Sequence, residues 1–160
     1  QGSENKIVVE ADENLQDIIM TEIKDGQLRI YSEKNIWKAK ARKVYVTIKT
    51  IEAITATSGA DVRMSLDANS VTSSATSGSD IEISGTANNH DSSATSGASI
   101  DAYDLRSKNV TVRVTSGADI NIYASESITA KATSGGDIDF KGNPTKVNKK
   151  ESSGGDVSAK

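Results

Sequence analysis

The fold is decided by the stretch Thr57-Ser58-Gly59-Ala60-Asp61-Val62. Its pattern has five positions after the threonine: serine, glycine and a small residue come first. The fourth position is aspartate in five of the six copies, and the fifth is valine or isoleucine. The six copies of this pattern have their glycines at Gly59, Gly78, Gly97, Gly117, Gly135 and Gly154. Successive glycines are therefore 18 to 20 residues apart. A repeat of nearly fixed length is typical of a protein that stacks one structural unit on the next.

Between these turns apolar and polar residues alternate, which is the period of a strand with one buried face. Three residues after the successive glycines stand Val62, Ile81, Ile100, Ile120, Ile138 and Val157. A coil of about 19 residues is too short for a strand, a helix and their loops, because parallel strands joined through a helix need longer units. We therefore predict an all-β fold, a single-stranded right-handed parallel β-helix (a β-solenoid) in which these six side chains form one buried file.

The two ends of the chain depart from the repeat. Residues 1–56 are predicted to be a non-repetitive N-terminal β lead-in, which caps the same domain and has a hairpin turn at Asp25-Gly26. Residues 57–160 are predicted to form the coils. In the last coil Glu151 replaces an inward alanine or valine, beside Lys149 and Lys150. We expect this charged C-terminal cap to protect the open edge of the sheet.

Composition excludes several classes of protein. A net charge of −3 gives no general attraction to nucleic acid. The chain has no cysteine, which excludes disulfides and thiolate metal sites. No apolar run approaches the roughly 18 residues of a membrane-spanning helix, so we expect no membrane span. We interpret the abrupt start at Gln1 as a trimmed terminus, and therefore expect that a signal peptide has been removed, with or without a lipid anchor.

Three segments are similar to a known family. They are the recurring Ser-Gly turn, the lead-in Asp25-Gly26-Gln27-Leu28-Arg29-Ile30, and the late segment Gly136-Asp137-Ile138-Asp139-Phe140-Lys141-Gly142-Asn143-Pro144 with one more coil after it. In these features the chain resembles the putative auto-transporter adhesin, head GIN domain family of exported bacterial proteins, although the family's usual N-terminal start is shortened. The resemblance implies adhesion and a location in the periplasm, outer membrane or cell surface. It supplies no catalytic residue and no cofactor.

Aspartates that follow the turns form a candidate cation site. The members of this column are Asp61, Asp80, Asp119, Asp137 and Asp156. Stacked carboxylates about 4.8 Å apart repel each other, and a bound calcium ion relieves such repulsion. However, Ser99 interrupts the column, and aspartate is a common turn residue that hydrogen-bonds its own backbone. We favour the structural interpretation and predict no metal or cofactor; a calcium-loaded solenoid is the alternative.

Two other polar features are also interpreted as structural. The threonines before the turns are expected to form a hydroxyl ladder rather than an ice-binding face; they are Thr57, Thr76, Thr95, Thr115 and Thr133. His90, the only histidine, lies in the polar stretch Asn88-Asn89-His90-Asp91, which has no counterpart in the other repeats. We expect His90 to be an exposed loop residue rather than a catalytic one.

A basic cluster around the only tryptophan is the best local candidate for a binding site. Its members are Trp37, Lys34, Lys38, Lys40, Arg42 and Lys43. Cations beside an aromatic ring suit an anionic glycan or headgroup, although a solvated loop often has the same composition.

The sequence thus favours an exported, non-catalytic binding or structural module with a protein or glycan partner. A polysaccharide-active β-helix enzyme is the main alternative. Such enzymes need clustered carboxylates for acid–base chemistry, and they surround a longer helix with loops. Open solenoid edges are also compatible with a homo-oligomer.

Overall fold

The computed structural model describes residues 5–36 and 42–160. The chain divides into two compact units, Gln1–Lys49 and Thr50–Lys160. In the described parts of both units the regular structure is strand, apart from one short 3₁₀ helix at Glu13–Leu15.

The first unit contains two antiparallel strand pairs. Strand β1 (Lys6–Ala11) pairs with β4 (Arg42–Thr47), and β2 (Ile19–Lys24) pairs with β3 (Gln27–Ser32). The β2–β3 hairpin turns at Asp25 and Gly26, which both have positive φ angles, of 51° and 76°. This is the backbone of a type I′ turn, so the predicted hairpin is confirmed. The role of residues 1–56 as a cap of the same domain stays a prediction.

The second unit is a stack of parallel strands. In chain order these are β5 (Ala53–Thr57), β6 (Asp61–Thr76), β7 (Asp80–Thr95), β8 (Ser99–Thr115), β9 (Asp119–Thr133), β10 (Asp137–Lys141), β11 (Lys146–Ser152) and β12 (Asp156–Ala159). Each of the strands β6 to β9 runs through most of one coil, and consecutive strands in this series pair in parallel. Strands β10 and β11 share the next coil, since both pair with β9. The predicted parallel solenoid with coils of about 19 residues is confirmed.

The predicted apolar file is confirmed in its register, and its members are buried except Val62, which is partly buried. Val62 pairs with Ile81, and the register continues through Ile100, Ile120, Ile138 and Val157. Ile100 and Ile138 have no exposed surface, and Val157 is only 4% exposed. The stacked isoleucines therefore hold successive coils together by removing apolar surface from water, at about 25 cal/mol for each Å².

The Ser-Gly turns all share one backbone conformation. Both central residues have positive φ, for example 58° at Ser58 and 71° at Gly59. The amide of Ala60 donates to the carbonyl of Thr57 at 3.3 Å and closes the turn. Glycine adopts this conformation readily, whereas the serine is strained by its Cβ in this region. The amide of Gly59 donates to the carbonyl of Ser77 at 3.2 Å, and so links one turn to the next.

His90 corrects the sequence analysis, because the prediction of an exposed loop histidine is wrong. It lies in β7 at a position that pairs with Val71 and Val110, and it is 1% exposed. The repeat places this position inside the solenoid, where its neighbours in the file are valines. The local polar sequence hid this, because the outward residues on either side of His90 are Asn89 and Asp91.

The charged residues at the C-terminus fold over the last coil. Nζ of Lys149 donates to the carbonyl of Val157 at 2.8 Å and lies 5.1 Å from the centre of the Phe140 ring. The amide of Val157 donates to Oε1 of Glu151 at 3.1 Å. These two side chains therefore satisfy backbone groups of the terminal strand β12.

Candidate binding surfaces

The basic cluster predicted from the sequence is only partly visible. Trp37, Lys38 and Lys40 lie outside the described residues. Arg42 and Lys43 begin strand β4 and pair with Ala11 and Glu10 of β1, and Lys43 is exposed. The binding role of this cluster stays a prediction.

The aspartate column exists as a register feature. Asp61 and Asp80 are partners, Ser99 interrupts the column as predicted, and Asp119, Asp137 and Asp156 continue it. Partial burial raises the pKa of Asp119, and the negative charges of Asp137 and Asp139 raise it further. In residues 5–36 and 42–160, no group of three or more acidic or histidine side chains converges on a point where a metal ion would sit. A bound cation along the column stays a prediction.

Outward side chains just before the turns form a face that the sequence analysis did not single out. We call Arg113, Lys131 and Lys150 the basic row, because they occupy partner positions in β8, β9 and β11. All three are exposed. Successive partners in a sheet are about 4.8 Å apart, so the row is a ladder of cations along the solenoid axis.

Hydroxyl groups flank the basic row on both sides. Thr111 and Thr129 are partners two residues before Arg113 and Lys131, and Thr115 and Thr133 are partners two residues after them. Residues two apart in a strand face the same side, so these hydroxyls share the surface of the row. A depression of about 360 Å³ opens on this face. Its polar lining residues are Ser74, Ser93, Thr95, Arg113, Thr115, Lys131 and Thr133, and its apolar lining residues are Ala75, Ala94 and Val114.

Little negative charge offsets the basic row. Nη1 of Arg113 lies 3.6 Å from Oδ1 of Asp91, at the end of the row nearest the N-terminus. Within the described part of the chain, Lys131 and Lys150 form no salt bridge. Among the described residues, this face therefore combines two cations outside any salt bridge with hydroxyl groups, a set of donors suited to an oxyanion.

The face that follows the turns has the opposite character. Besides the aspartate column it carries a second column in which Glu82 pairs with Asp101, and Asp139 follows two coils later. Nε of Arg63 lies 3.0 Å from Glu82, and Nζ of Lys160 lies 3.3 Å from Asp139. The modest net charge of the chain thus conceals an acidic face and a basic face.

A third candidate surface lies at a corner where the register shifts. Glu82 pairs with Asp101 but Gly85 pairs with Leu105, so β8 has one extra residue there. This bulge accounts for the 20-residue spacing between Gly97 and Gly117.

Two aromatic–cation pairs occupy this corner. The guanidinium of Arg106 lies 4.4 Å from the centre of the Tyr123 ring, and Nζ of Lys141 lies 3.9 Å from that of Tyr103. Burial raises the pKa of Tyr103, as do the charges of Asp139 and Asp101. The cations here are already engaged by the rings, which makes the corner a weaker candidate than the basic row.

An amide ladder runs along another edge and is structural. Nδ2 of Asn89 donates to Oγ of Ser70 at 3.3 Å, and Nδ2 of Asn109 donates to Oδ1 of Asn89 at 3.4 Å. Oγ of Ser127 donates to Oδ1 of Asn109 at 2.8 Å. The sequence analysis missed this ladder because its members differ in type from coil to coil.

Comparisons with known proteins agree with this architecture. The family model described as "Putative auto-transporter adhesin, head GIN domain" matches residues 1–144. No curated protein gives a significant match. In the described residues, no helix is long and apolar enough to cross a membrane.

Three solved structures illustrate the similarity of the fold. A putative adhesin from Bacteroides fragilis has a TM-score of 0.77 and 21% identity, over 98% of this chain and 83% of the other. A putative lipid binding protein from Parabacteroides distasonis has a TM-score of 0.62 and 17% identity, over 100% and 86%. A putative adhesin from Parabacteroides merdae has a TM-score of 0.57 and 16% identity, over 100% and 85%. At these identities the likeness concerns the fold alone.

Proposed function

Since the chain belongs to the putative auto-transporter adhesin, head GIN domain family, we propose that it is a non-catalytic binding module. It acts outside the cytoplasm, at the cell surface or in the periplasm, where its long outer faces bind a protein or glycan partner. Family membership supports the adhesive role and the location.

One observation carries the proposal: most polar side chains of the solenoid stand in straight rows on open faces, around an interior that is largely apolar. A catalytic site requires a nucleophile, a base and charge stabilisers that converge on one accessible point. Parallel stacking instead repeats similar side chains at regular intervals, which favours contact with an extended partner.

One arrangement within residues 5–36 and 42–160 resembles a catalytic pair, and it supports this interpretation. Oγ of Ser73 lies 2.8 Å from Nε2 of His90, within the usual distance of a nucleophile and its base. However, Ser73 has no exposed surface and His90 is 1% exposed. A substrate has no access to either group, so the pair contributes to packing and hydrogen bonding only.

Binding to arrays and protease digestion of cells test the proposal. The full chain is applied to a glycan array and to an array of host and bacterial surface proteins, and intact cells of the source bacterium are treated with a protease. We expect saturable binding to at least one array component. We also expect the protease to remove the protein from intact cells if it is on the surface, or from cells with a permeabilised outer membrane if it is periplasmic. Binding to neither array, or protection from the protease until the cells are lysed fully, would contradict the proposal.

Two controls complete that test. Permeabilised outer membranes distinguish a periplasmic protein from one on the surface, because only the former becomes accessible at that step. Incubation with the bound glycan, followed by an assay for new reducing ends, distinguishes a binding module from an enzyme. Catalytic release of reducing ends would overturn the non-catalytic assignment.

A further inference from the structure

We propose that the basic row Arg113, Lys131 and Lys150 is a binding site for a linear acidic polysaccharide. The inference rests on the proposed binding role, and it names the chemical class of one partner. The row and its two flanking columns of hydroxyl groups form the site.

The first argument is electrostatic. Like charges at directly opposite positions of neighbouring strands are destabilising. The parallel register places Arg113 next to Lys131, and Lys131 next to Lys150. Within the described residues Asp91 is the only carboxylate in a salt bridge with the row, and it contacts Arg113 at 3.6 Å. An anion along the row relieves this repulsion at low cost, since the three side chains are already exposed.

The second argument is the spacing of the row. Its cations repeat at each coil, about 4.8 Å apart along the axis. A linear polymer with an anionic group on successive units matches such a ladder, because several charges are paired at once and the effective concentration of the later contacts is high. A single small anion engages only part of the row.

The third argument distinguishes sugars from other polyanions. Thr111, Thr115, Thr129 and Thr133 border the row and can exchange hydrogen bonds with sugar hydroxyls. Proteins that bind single-stranded nucleic acids also use aromatic platforms for base stacking. The aromatic residues of the solenoid are Tyr103, Tyr123 and Phe140, and none of them lines the depression on this face. An anionic membrane surface would in addition favour exposed apolar side chains beside the cations.

Binding of defined polymers to the full chain tests the proposal. The probes are polygalacturonate, which has a carboxylate on each sugar unit, neutral dextran, a single-stranded DNA oligonucleotide and phosphatidylglycerol vesicles. The test variant combines Arg113→Gln with Lys131→Gln. The matched control is Lys108→Gln, an exposed cation of the same strand that lies outside the row.

We expect the wild-type protein to bind polygalacturonate at low salt, more weakly as salt rises, and not to bind dextran. The double variant should bind about tenfold more weakly, because two paired charges are removed. Lys108→Gln should change the affinity by less than about twofold. A melting temperature that is not lower than that of the wild type shows that each variant keeps the fold. Removal of the repulsion between Arg113 and Lys131 acts to raise it in the double variant.

Any of three results would overturn the site. The first is that the wild-type protein does not bind polygalacturonate, and the second is that the double variant and Lys108→Gln lose equal affinity for it. The third result is that the wild-type protein binds the DNA or the vesicles more tightly than polygalacturonate. If the chain still binds an array component through another face, the basic row fails while the proposed function stands. If it binds neither an array component nor polygalacturonate, both fail.

Discussion

Oγ of Ser73 and Nε2 of His90 are 2.8 Å apart inside the solenoid. Oγ of Ser73 also donates to Oγ of Ser92 at 2.9 Å, so Nε2 of His90 is the donor to Ser73 and Nδ1 is unprotonated. Nδ1 is buried and has no hydrogen-bond partner among the described residues. A proton on Nδ1 would therefore place an unpaired charge in the interior, and this burial lowers the pKa of His90 to about 4.

The buried histidine predicts a loss of stability in acid. An unfolded histidine has a pKa of about 6.5, so between about pH 6.5 and 4 the unfolded chain binds more protons than the folded chain. Above about pH 6.5 histidine is neutral in both states, so the free energy of unfolding keeps the full contribution of the neutral, buried His90. As the pH is lowered from about 6.5 to about 4, the free energy of unfolding decreases by a total of about 3 kcal/mol, and below about pH 4 it no longer changes on account of His90. Urea unfolding at a series of pH values measures it.

The variant His90→Val isolates this effect, because valine occupies the partner positions Val71 and Val110. We expect its stability to lack the loss between pH 6.5 and 4 that the wild type shows. Val110→Ala is the control: it lowers stability at every pH by removing buried methyl groups, and leaves the pH dependence intact. Parallel profiles for His90→Val and the wild type would contradict the burial of His90.

A second prediction concerns the corner glycine. Gly85 has a φ of 115°, and a Cβ at this position would lie 1.8 Å from the carbonyl oxygen of Leu66 in the preceding coil. Because this contact is with backbone, Gly85→Ala should destabilise the solenoid by more than about 3 kcal/mol or prevent folding. Circular dichroism and urea unfolding distinguish these outcomes from wild-type behaviour.

Gly78→Ala is the matched control for that experiment. Gly78 also has a positive φ, of 69°, but a Cβ there meets no atom within 4 Å. We expect a cost of about 1 to 2 kcal/mol from the backbone conformation alone. Equal costs for the two alanine variants would show that the coils do not approach each other as closely as described at Gly85.

The acidic face supplies a third prediction. Because the pKa of Asp119 is raised, its charged form is disfavoured in the folded state, and stability falls as the pH rises through that pKa. Asp119→Asn should therefore raise the stability at pH 7 by a few tenths of a kcal/mol, roughly the scale of an exposed charge pair, with no gain once the carboxyl is protonated in acid.

Calcium provides the contrast for this variant. If the column binds calcium, a millimolar concentration of the ion should raise the melting temperature of the wild type more than that of Asp119→Asn. We expect no such difference. A calcium-dependent rise that is lost in the variant would favour the cation-loaded solenoid instead.

A fourth prediction concerns the terminal cap. Lys149→Met removes the donor to the carbonyl of Val157, and should cost about 1 kcal/mol. Amide hydrogen exchange in β12 should accelerate more than exchange in β8. The control is Lys150→Met, because Lys150 is the adjacent exposed cation and belongs to the basic row. Equal acceleration of β12 in both variants would show that Lys149 has no special role.

Much of the fold was predictable because the sequence repeat has a nearly fixed length and alternates apolar and polar residues within each copy. The file from Val62 to Val157 follows from a fixed spacing and a period of two, which the hydrophobic effect converts into one buried side of each coil. The same spacing contained the information needed to place His90 inside, since it is 19 residues from Val71. The sequence analysis predicted an exposed loop instead because the neighbours of His90 are polar.

The candidate sites were harder to predict. The basic row joins Arg113, Lys131 and Lys150, each of which stands four residues before the glycine of a turn. The sequence shows this shared position, but only the parallel register shows that the three side chains are neighbours on one face. The basic cluster around Trp37 was conspicuous because its residues are neighbours in sequence. Proximity along the chain is a poor guide in a solenoid, where each side chain meets those one coil away.

The central claim is that the parallel register stacks side chains from successive coils into straight rows, and distances between spin labels test it most directly. Since the chain has no cysteine, labels can be attached at Thr57 and at one of its successors in the same column, Thr115, Thr133 or Ser152. These pairs are three, four and five coils apart, and we expect backbone separations of about 14, 19 and 24 Å. A mean distance that grows by about 4.8 Å for each coil supports the account. Distances that do not increase along the series would contradict it.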